Sequence, residues 1–265
     1  MASSTDKAAR LEIQGQVAII TLNRPEKLNA VNAQLRWDLR AALDSVAVNQ
    51  DVRVIILTGE GRGFCAGADV SVMRDRLDGH VVEPTQQQIQ SEQVPLPIAI
   101  RSQPQPVIAA VNGIAVGMGL SMALASDIRI ASEEARFASI FIKRSIVPDN
   151  GATYTLPRQV APGIAAEMTL TGRIYDAKWA SEKGLVNKVV PADKLMEEAL
   201  ALANEIAANA PLGVRVTKQL LYKNDEFQEQ ITRESAGNAY LSTTEDRAEA
   251  VRAFMEKRQP SFKGK

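Results

Sequence analysis

Apolar and polar positions are arranged in three ways along this chain, and each predicts a different kind of element. In "LEIQGQVAIITLNRP" two short apolar runs flank Gly15. They predict two strands joined by a tight turn, with Pro25 ending the second. In "NAQLRWDLRAALDSVAVN", Leu35, Leu39, Leu43 and Val46 recur at the spacing of one helix face. "VRVIILTG" is a continuous β-branched run closed by a glycine, the pattern of a strand buried on both faces. A polar, glycine-rich loop, "EGRGFCAGAD", follows it. Residues from about Val70 to Gln105 keep no single period and predict helical pieces with a mobile connection, a candidate lid. Beyond them "QPVIAAVNG" and "DIRIAS" predict strands, and "GMGLSMALASD" a turn entering a helix. In the final third, "ADKLMEEALALANEIAANA", "PLGVRVTKQLLYKN" and "TEDRAEAVRAFMEKR" all carry helical periodicity. Strand–helix alternation followed by helices predicts an α/β fold with mostly parallel pairing.

Composition narrows the function classes. The 265 residues suit one or two domains, and 45% hydrophobic with 23% charged residues is ordinary for a soluble globular protein. Lys+Arg and Asp+Glu both total 31, so no global field favours nucleic acid or an anionic membrane. No apolar run approaches the ~20 residues of a membrane span. The start, "MASSTDKAAR", lacks the apolar core of a secretory signal. Cys65 is the single cysteine, which rules out an intrachain disulfide and fits a reducing compartment; a cytoplasmic location is expected. His80 is the single histidine, so a zinc site is not expected, and a Ser-His-Asp triad would have to use it.

Two stretches share one design. "GFCAGADV" and "VNGIAVGMGLSMALA" each place glycines at a turn of small residues, the second leading into a helix. Glycine lets backbone approach a ligand, and amides at a helix start lack partners. Either turn alone reads most simply as a connector. Together they can aim two N–H groups at one oxygen, as in an oxyanion hole.

These stretches, with "NRPEKLNAV", "RFASIFIKRSIVPDNGATYTLPR" and "DAKWASEKGLVNKVVP", resemble the crotonase, or enoyl-CoA hydratase/isomerase, family from about Leu11 to Lys263. The resemblance implies a spiral of strand-strand-helix units over residues 1–195, carrying the acyl-CoA site. It implies a helical region over 196–265 that covers the CoA and builds homotrimers, often paired into hexamers. It also implies a thioester substrate in which coenzyme A is part of the substrate, with no tightly bound cofactor and no metal. Matched residue by residue, the oxyanion donors fall on the backbone N–H groups of Ala68 and Met118. Lys27, Leu28, Ala66 and Val70 match residues along the CoA groove. Lys257, Phe262 and Lys263 match a tail that reaches the CoA of a neighbouring subunit.

One departure matters. Hydratases of the family carry two glutamates, and the matching positions here hold Ser121 and Phe141. Water addition needs both water activation and proton delivery. What remains is Asp149, in "IVPDNGAT", which matches the principal acid/base of family isomerases similar to the phenylacetate-pathway type; in some dehalogenase-type members an aspartate here is the nucleophile. Locally, Asp149 also reads as the N-cap of the following helix. The two roles oppose each other, because a cap lowers a carboxyl pKa and a useful base needs it raised. The expected reaction is double-bond migration in an enoyl-CoA. Hydration, dehalogenation, thioester hydrolysis and a non-catalytic acyl-CoA-binding role stand as alternatives. His80 reads as a solvated loop residue, Cys65, Trp37 and Trp179 as packing, Asp127 as structural, and Asp69 as a helix cap. Glu133, Glu134 and Arg136 read as a solvated charged turn.

Overall fold

The apolar runs pair much as their pattern predicts in a computed structural model that describes residues 7–69, 94–222 and 226–261. Strands β1 (Ala9–Gln14) and β2 (Val17–Leu22) form an antiparallel hairpin, and Gly15 takes the positive φ of 59° that the turn requires. Helix α1 (Ala33–Ala47) is capped by Asn32, whose side chain accepts the Leu35 N–H. Strands β3 (Val54–Gly59) and β4 (Gly63–Cys65) come next, then helix α2 (Leu96–Arg101). The pattern repeats as β5 (Val107–Val111), β6 (Ile114–Val116) and helix α3 (Met118–Ala125). It repeats again as β7 (Ile128–Ser132), β8 (Arg136–Ala138) and helix α4 (Ala152–Gln159). Helix α5 (Pro162–Thr171), β9 (Tyr175–Asp176), helix α6 (Ala177–Glu182) and β10 (Lys188–Val190) complete the layered part.

From β3 to α4, each turn of chain lays one strand in each of two sheets before its helix. One sheet has the order β1-β2-β3-β5-β7-β10, the other β4-β6-β8-β9. Pairing is parallel from β2 to β10 and from β4 to β8. This is the expected spiral of strand-strand-helix units. Alternation along β3 explains its unbroken apolar run. Ile55 and Leu57 enter one core with Leu35, Leu39 and Leu43 of α1, while Val54 and Ile56 enter a second core. That second core is closed by Leu195, Ala199, Ala203 and Ala207, one face of helix α7 (Leu195–Ala207).

Helices α8 (Pro211–Leu221) and α10 (Glu245–Met255) match the remaining helical stretches. Between them lies an element that the periodicity did not reveal, helix α9 (Glu226–Leu241). The short strands β4, β6 and β8 were also not separable from their loops, because three residues are too few to display a period. Among the described residues no helix is long and apolar enough to cross a membrane.

Candidate active site

The two glycine-rich turns meet at one place because β4 and β6 lie side by side in the second sheet. The turn after β4 and the turn after β6 therefore leave the sheet together. Gly67 has φ 98° and Gly117 has φ 55°, and a Cβ on Gly117 would stand 3.8 Å from the Cα of Gly67. Gly119 has no such φ requirement, yet a Cβ there would lie 2.1 Å from the Cys65 carbonyl oxygen. The start of α3 can press this closely on the end of β4 only without a side chain.

The first turn is held from outside by the "NRPEKLNAV" segment. Buried Asn29 donates to the Gly63 carbonyl at 2.7 Å and to the Glu60 carbonyl at 3.0 Å, and accepts the Arg24 N–H at 2.8 Å. Leu28 accepts the Ala66 N–H at 2.9 Å. Val31 donates to Gly67 O at 2.7 Å and accepts from Asp69 N at 2.9 Å. That bridge uses the groups on either side of Ala68, so the Ala68 N–H points away from it. Met118 opens α3, where amides have no partner within the helix. Among the described residues no backbone acceptor is found for either N–H.

Ala66, Gly67, Ala68, Gly117 and Met118 line a cavity of about 110 Å³ whose other walls are Ile140, Phe141, Arg144, Ile146 and Asp149. Clefts of about 580 to 630 Å³ elsewhere are larger, but none of their walls includes either turn. Asp149 is the single carboxylate among the described walls. Burial pushes its carboxyl above the ordinary 3.8, against the opposing pull of the Asn150 amide and of Arg36. Asn150 Nδ2 donates to Asp149 Oδ1 at 2.5 Å.

Asp149 does not cap helix α4. The N-cap position is Gly151, with φ 80° and no capping side chain of its own. The capping carboxylate is Glu234, 4% exposed, which reaches over from α9. It accepts the Gly151 N–H at 2.6 Å and the Thr153 N–H at 2.9 Å. Burial raises the Glu234 carboxyl despite these bonds, and the Asp149 charge adds to the rise. Ser121 faces the same loop: its hydroxyl lies 3.1 Å from the Asp149 carbonyl and 3.3 Å from the Gly117 carbonyl. Phe141 is buried in the cavity wall and supplies apolar surface.

Of the remaining expected site residues, Leu28 is half-buried against the donor turn, and Lys27 is exposed beside it. Lys257 is exposed beyond α10 and is not a wall of this cavity. Val70, His80, Phe262 and Lys263 lie outside the described residues, as does most of the candidate lid. Cys65 is fully buried, and burial pushes its thiol up to about 12, which leaves it inert. Asp69 forms an ion pair with Arg24 at 2.9 Å. Asp127 accepts the Val107 N–H at 2.6 Å and pairs with Lys218 at 2.8 Å, a structural role. Trp179 stacks on Tyr175 with ring centroids 3.9 Å apart. Among the described residues no three His, Cys, Asp or Glu side chains gather as a metal site would require. Arg144 and Glu234 escaped the sequence reading. Arg144 lies within a stretch that carries the resemblance but was given no role there, and Glu234 lies in no motif, 83 residues from the Gly151 that it caps.

Chemically, the cavity walls combine residues with two backbone N–H groups that have no backbone acceptor among the described residues and one desolvated carboxylate. That set can hold a developing oxyanion and move a proton beside it. Comparison with known proteins identifies the family. Residues 12–265 match the family model described as enoyl-CoA hydratase/isomerase. The 2,3-dehydroadipyl-CoA hydratase of Escherichia coli is 36% identical over 95% of this chain and 97% of that protein. The 1,2-epoxyphenylacetyl-CoA isomerase of the same organism is 34% identical over 96% and 97%. The crystal structure of an enoyl-CoA hydratase/isomerase from Pseudoalteromonas atlantica superposes with a TM-score of 0.87 at 34% identity, covering 97% of this chain and 100% of that one.

Proposed function

Because the chain belongs to the enoyl-CoA hydratase/isomerase family, the crotonases, and is an enzyme of that family, we propose that it moves a C=C bond within an enoyl-CoA thioester through Asp149. The observation that carries this reading is the single carboxylate among the described walls of a cavity that both glycine turns enter, with Ser121 and Phe141 where a hydratase pair would stand.

In this reading the thioester oxygen of a 3-enoyl-CoA sits between the N–H groups of Ala68 and Met118. The Asp149 carboxylate takes a proton from C2. The electron pair left behind spreads over the dienolate, and negative charge gathers on the thioester oxygen, where each fixed donor is worth ~3 kcal/mol. The double bond shifts to C2=C3 as Asp149, whose carboxyl proton exchanges with solvent, delivers a proton to C4. Asp149 ends as it began, so one carboxylate completes the cycle. Its raised pKa strengthens it as a base, and Ile146 and Phe141 supply the apolar surroundings.

Lys27, Leu28, Ala66 and Val70 would line the CoA groove, and Lys257, Phe262 and Lys263 would reach the CoA of a neighbouring subunit. Assembly through the 196–265 region into a trimer or hexamer is supported by Leu212, Val216 and Leu220, exposed at one-turn spacing on α8. A cytoplasmic enzyme with acyl-CoA as its partner, and no tightly bound cofactor, completes the reading. Hydration is the second reading, favoured by relatives named hydratases, among them the short-chain-enoyl-CoA hydratase of Clostridium acetobutylicum.

The test is incubation with a 3-enoyl-CoA and with crotonyl-CoA in D2O, followed by mass. Double-bond migration with deuterium uptake is expected, and Asp149→Asn should bind acyl-CoA yet lose at least ~100-fold in turnover. Unchanged turnover in the variant sinks the assignment. Water addition to crotonyl-CoA without migration makes hydration the activity.

A further inference from the structure

Helix α9 meets the Asp149 loop along one face. Phe227, Gln230, Glu234 and Asn238 recur at helical spacing, and each touches the segment between Val147 and Thr153. On one side of Asp149, Asn238 Oδ1 accepts the Val147 N–H at 2.9 Å. On the other side Glu234 accepts from the Gly151 and Thr153 amides and from the Thr153 hydroxyl, the last at 2.5 Å. Gln230 Nε2 donates to Thr153 Oγ1 at 2.6 Å, which orients that hydroxyl. The Phe227 ring stands where a Gly151 Cβ would be, 2.1 Å from it.

Helix α9 adds to the loop's own bonds, in which the Asp149 carbonyl accepts the Ala152 N–H at 3.1 Å. Ser145, Asn150 and Gly151 all have positive φ, at 50°, 56° and 80°. The N-terminus of α4 also needs an acceptor, and aspartate is a favoured cap. Asp149 lies two residues before the N-cap, and an aspartate side chain readily bonds the N–H two residues on, here that of Gly151. With those amides free, its carboxylate would turn to them and leave the cavity.

We propose that Glu234 is a positioning residue for Asp149. By capping α4 from outside, and with Asn238 fixing the other end of the loop, it keeps the Asp149 carboxylate aimed between the donor turns. Part of the catalytic geometry therefore belongs to the C-terminal helices. The inference rests on the reading of Asp149 as the acid/base.

The test measures kcat and KM for double-bond migration in Glu234→Ala, Asp149→Asn, the double variant and a stability control, Leu195→Ala, in the other core. A misplaced carboxylate is expected to lower kcat about 10- to 100-fold in Glu234→Ala, with KM within about 3-fold. In the Asp149→Asn background the same change should cost nothing further, because the role acts through Asp149. The control should keep its kcat despite lowered stability. Asn238→Ala should show a smaller kcat loss with the same non-additivity, and it decides the matter if Glu234→Ala does not fold. Unchanged kcat, a loss confined to KM, or full additivity with Asp149→Asn overturns the positioning role. If Asp149→Asn is itself fully active, the reading of Asp149 fails first. If it is inactive while Glu234→Ala is not, only the positioning role falls.

Discussion

Asp149 holds a position that costs stability, and the sign of that cost is testable. Burial raises its folded pKa above the ordinary 3.8. Between 3.8 and the raised value, the folded state keeps a proton that the unfolded chain has released. Stability therefore falls as pH rises through that window, and the penalty persists above it. Asp149→Asn removes the charge, so the variant is expected to melt above the wild type at pH 7, with the difference vanishing near pH 4. Calorimetry at both values checks this, and a variant less stable at pH 7 refutes it. The same shift predicts that kcat/KM rises with pH about a midpoint above the ordinary carboxylate value, as the base form appears. Cys65 makes a contrasting residue-scale case. With its thiol pushed up to about 12 and no exposure, a thiol reagent at pH 8 should label it only on unfolding.

At the scale of elements, the decisive contact is the approach of α3 to β4. Alanine is normally better than glycine inside a helix by about 1 kcal/mol. At Gly119 the order should reverse, because a Cβ would meet the Cys65 carbonyl at 2.1 Å. Gly119→Ala is expected to cost about 1–3 kcal/mol in urea unfolding, as overpacking does. It should also reduce turnover, since it pushes Met118 away from Ala68. At Gly163, inside α5, a Cβ would meet nothing within 4 Å, and Gly163→Ala should stabilise by up to about 1 kcal/mol. Equal effects at the two sites would show that the contact is not what sets the requirement. Helix α9 shows why some elements resist a reading from periodicity. Its buried residues are Phe227, Ile231 and Glu234, so its inward face ends in a carboxylate, and the apolar stripe is too short to stand out.

At the scale of the molecule, Arg129 joins parts that are distant along the chain. It is 3% exposed on β7 and donates to the carbonyls of Leu185 at 2.9 Å and Ser126 at 2.8 Å, and to Gln159 Oε1 at 2.7 Å. These acceptors lie at the end of α3, at the end of α4 and just before β10. Arg129→Met keeps much of the volume and leaves the acceptors buried without donors. A loss of about 3 kcal/mol or more is expected in urea unfolding, at about 1–3 kcal/mol per stranded group. A loss under about 1 kcal/mol would mean that water replaces the guanidinium.

Much of this was legible in the sequence alone. The hairpin around Gly15, the doubly buried β3, the amphipathic α1 and the helical C-terminal third follow from local period and burial demand, which are properties of short windows. The two glycine turns were legible as candidates because glycine marks backbone that must approach something. What a window cannot contain is the partner of a distant group. Local sequence favoured Asp149 as a helix cap, the family resemblance favoured it as an acid, and no local pattern separates the two. The tertiary structure decided the capping question by bringing Glu234 to the α4 N-terminus from 83 residues away, leaving the Asp149 side chain free of that work. It also set β4 beside β6, which is why the two turns share a cavity. Period and composition determined the layers; only the folded chain could determine which amides face each other and which carboxylate is left to face them.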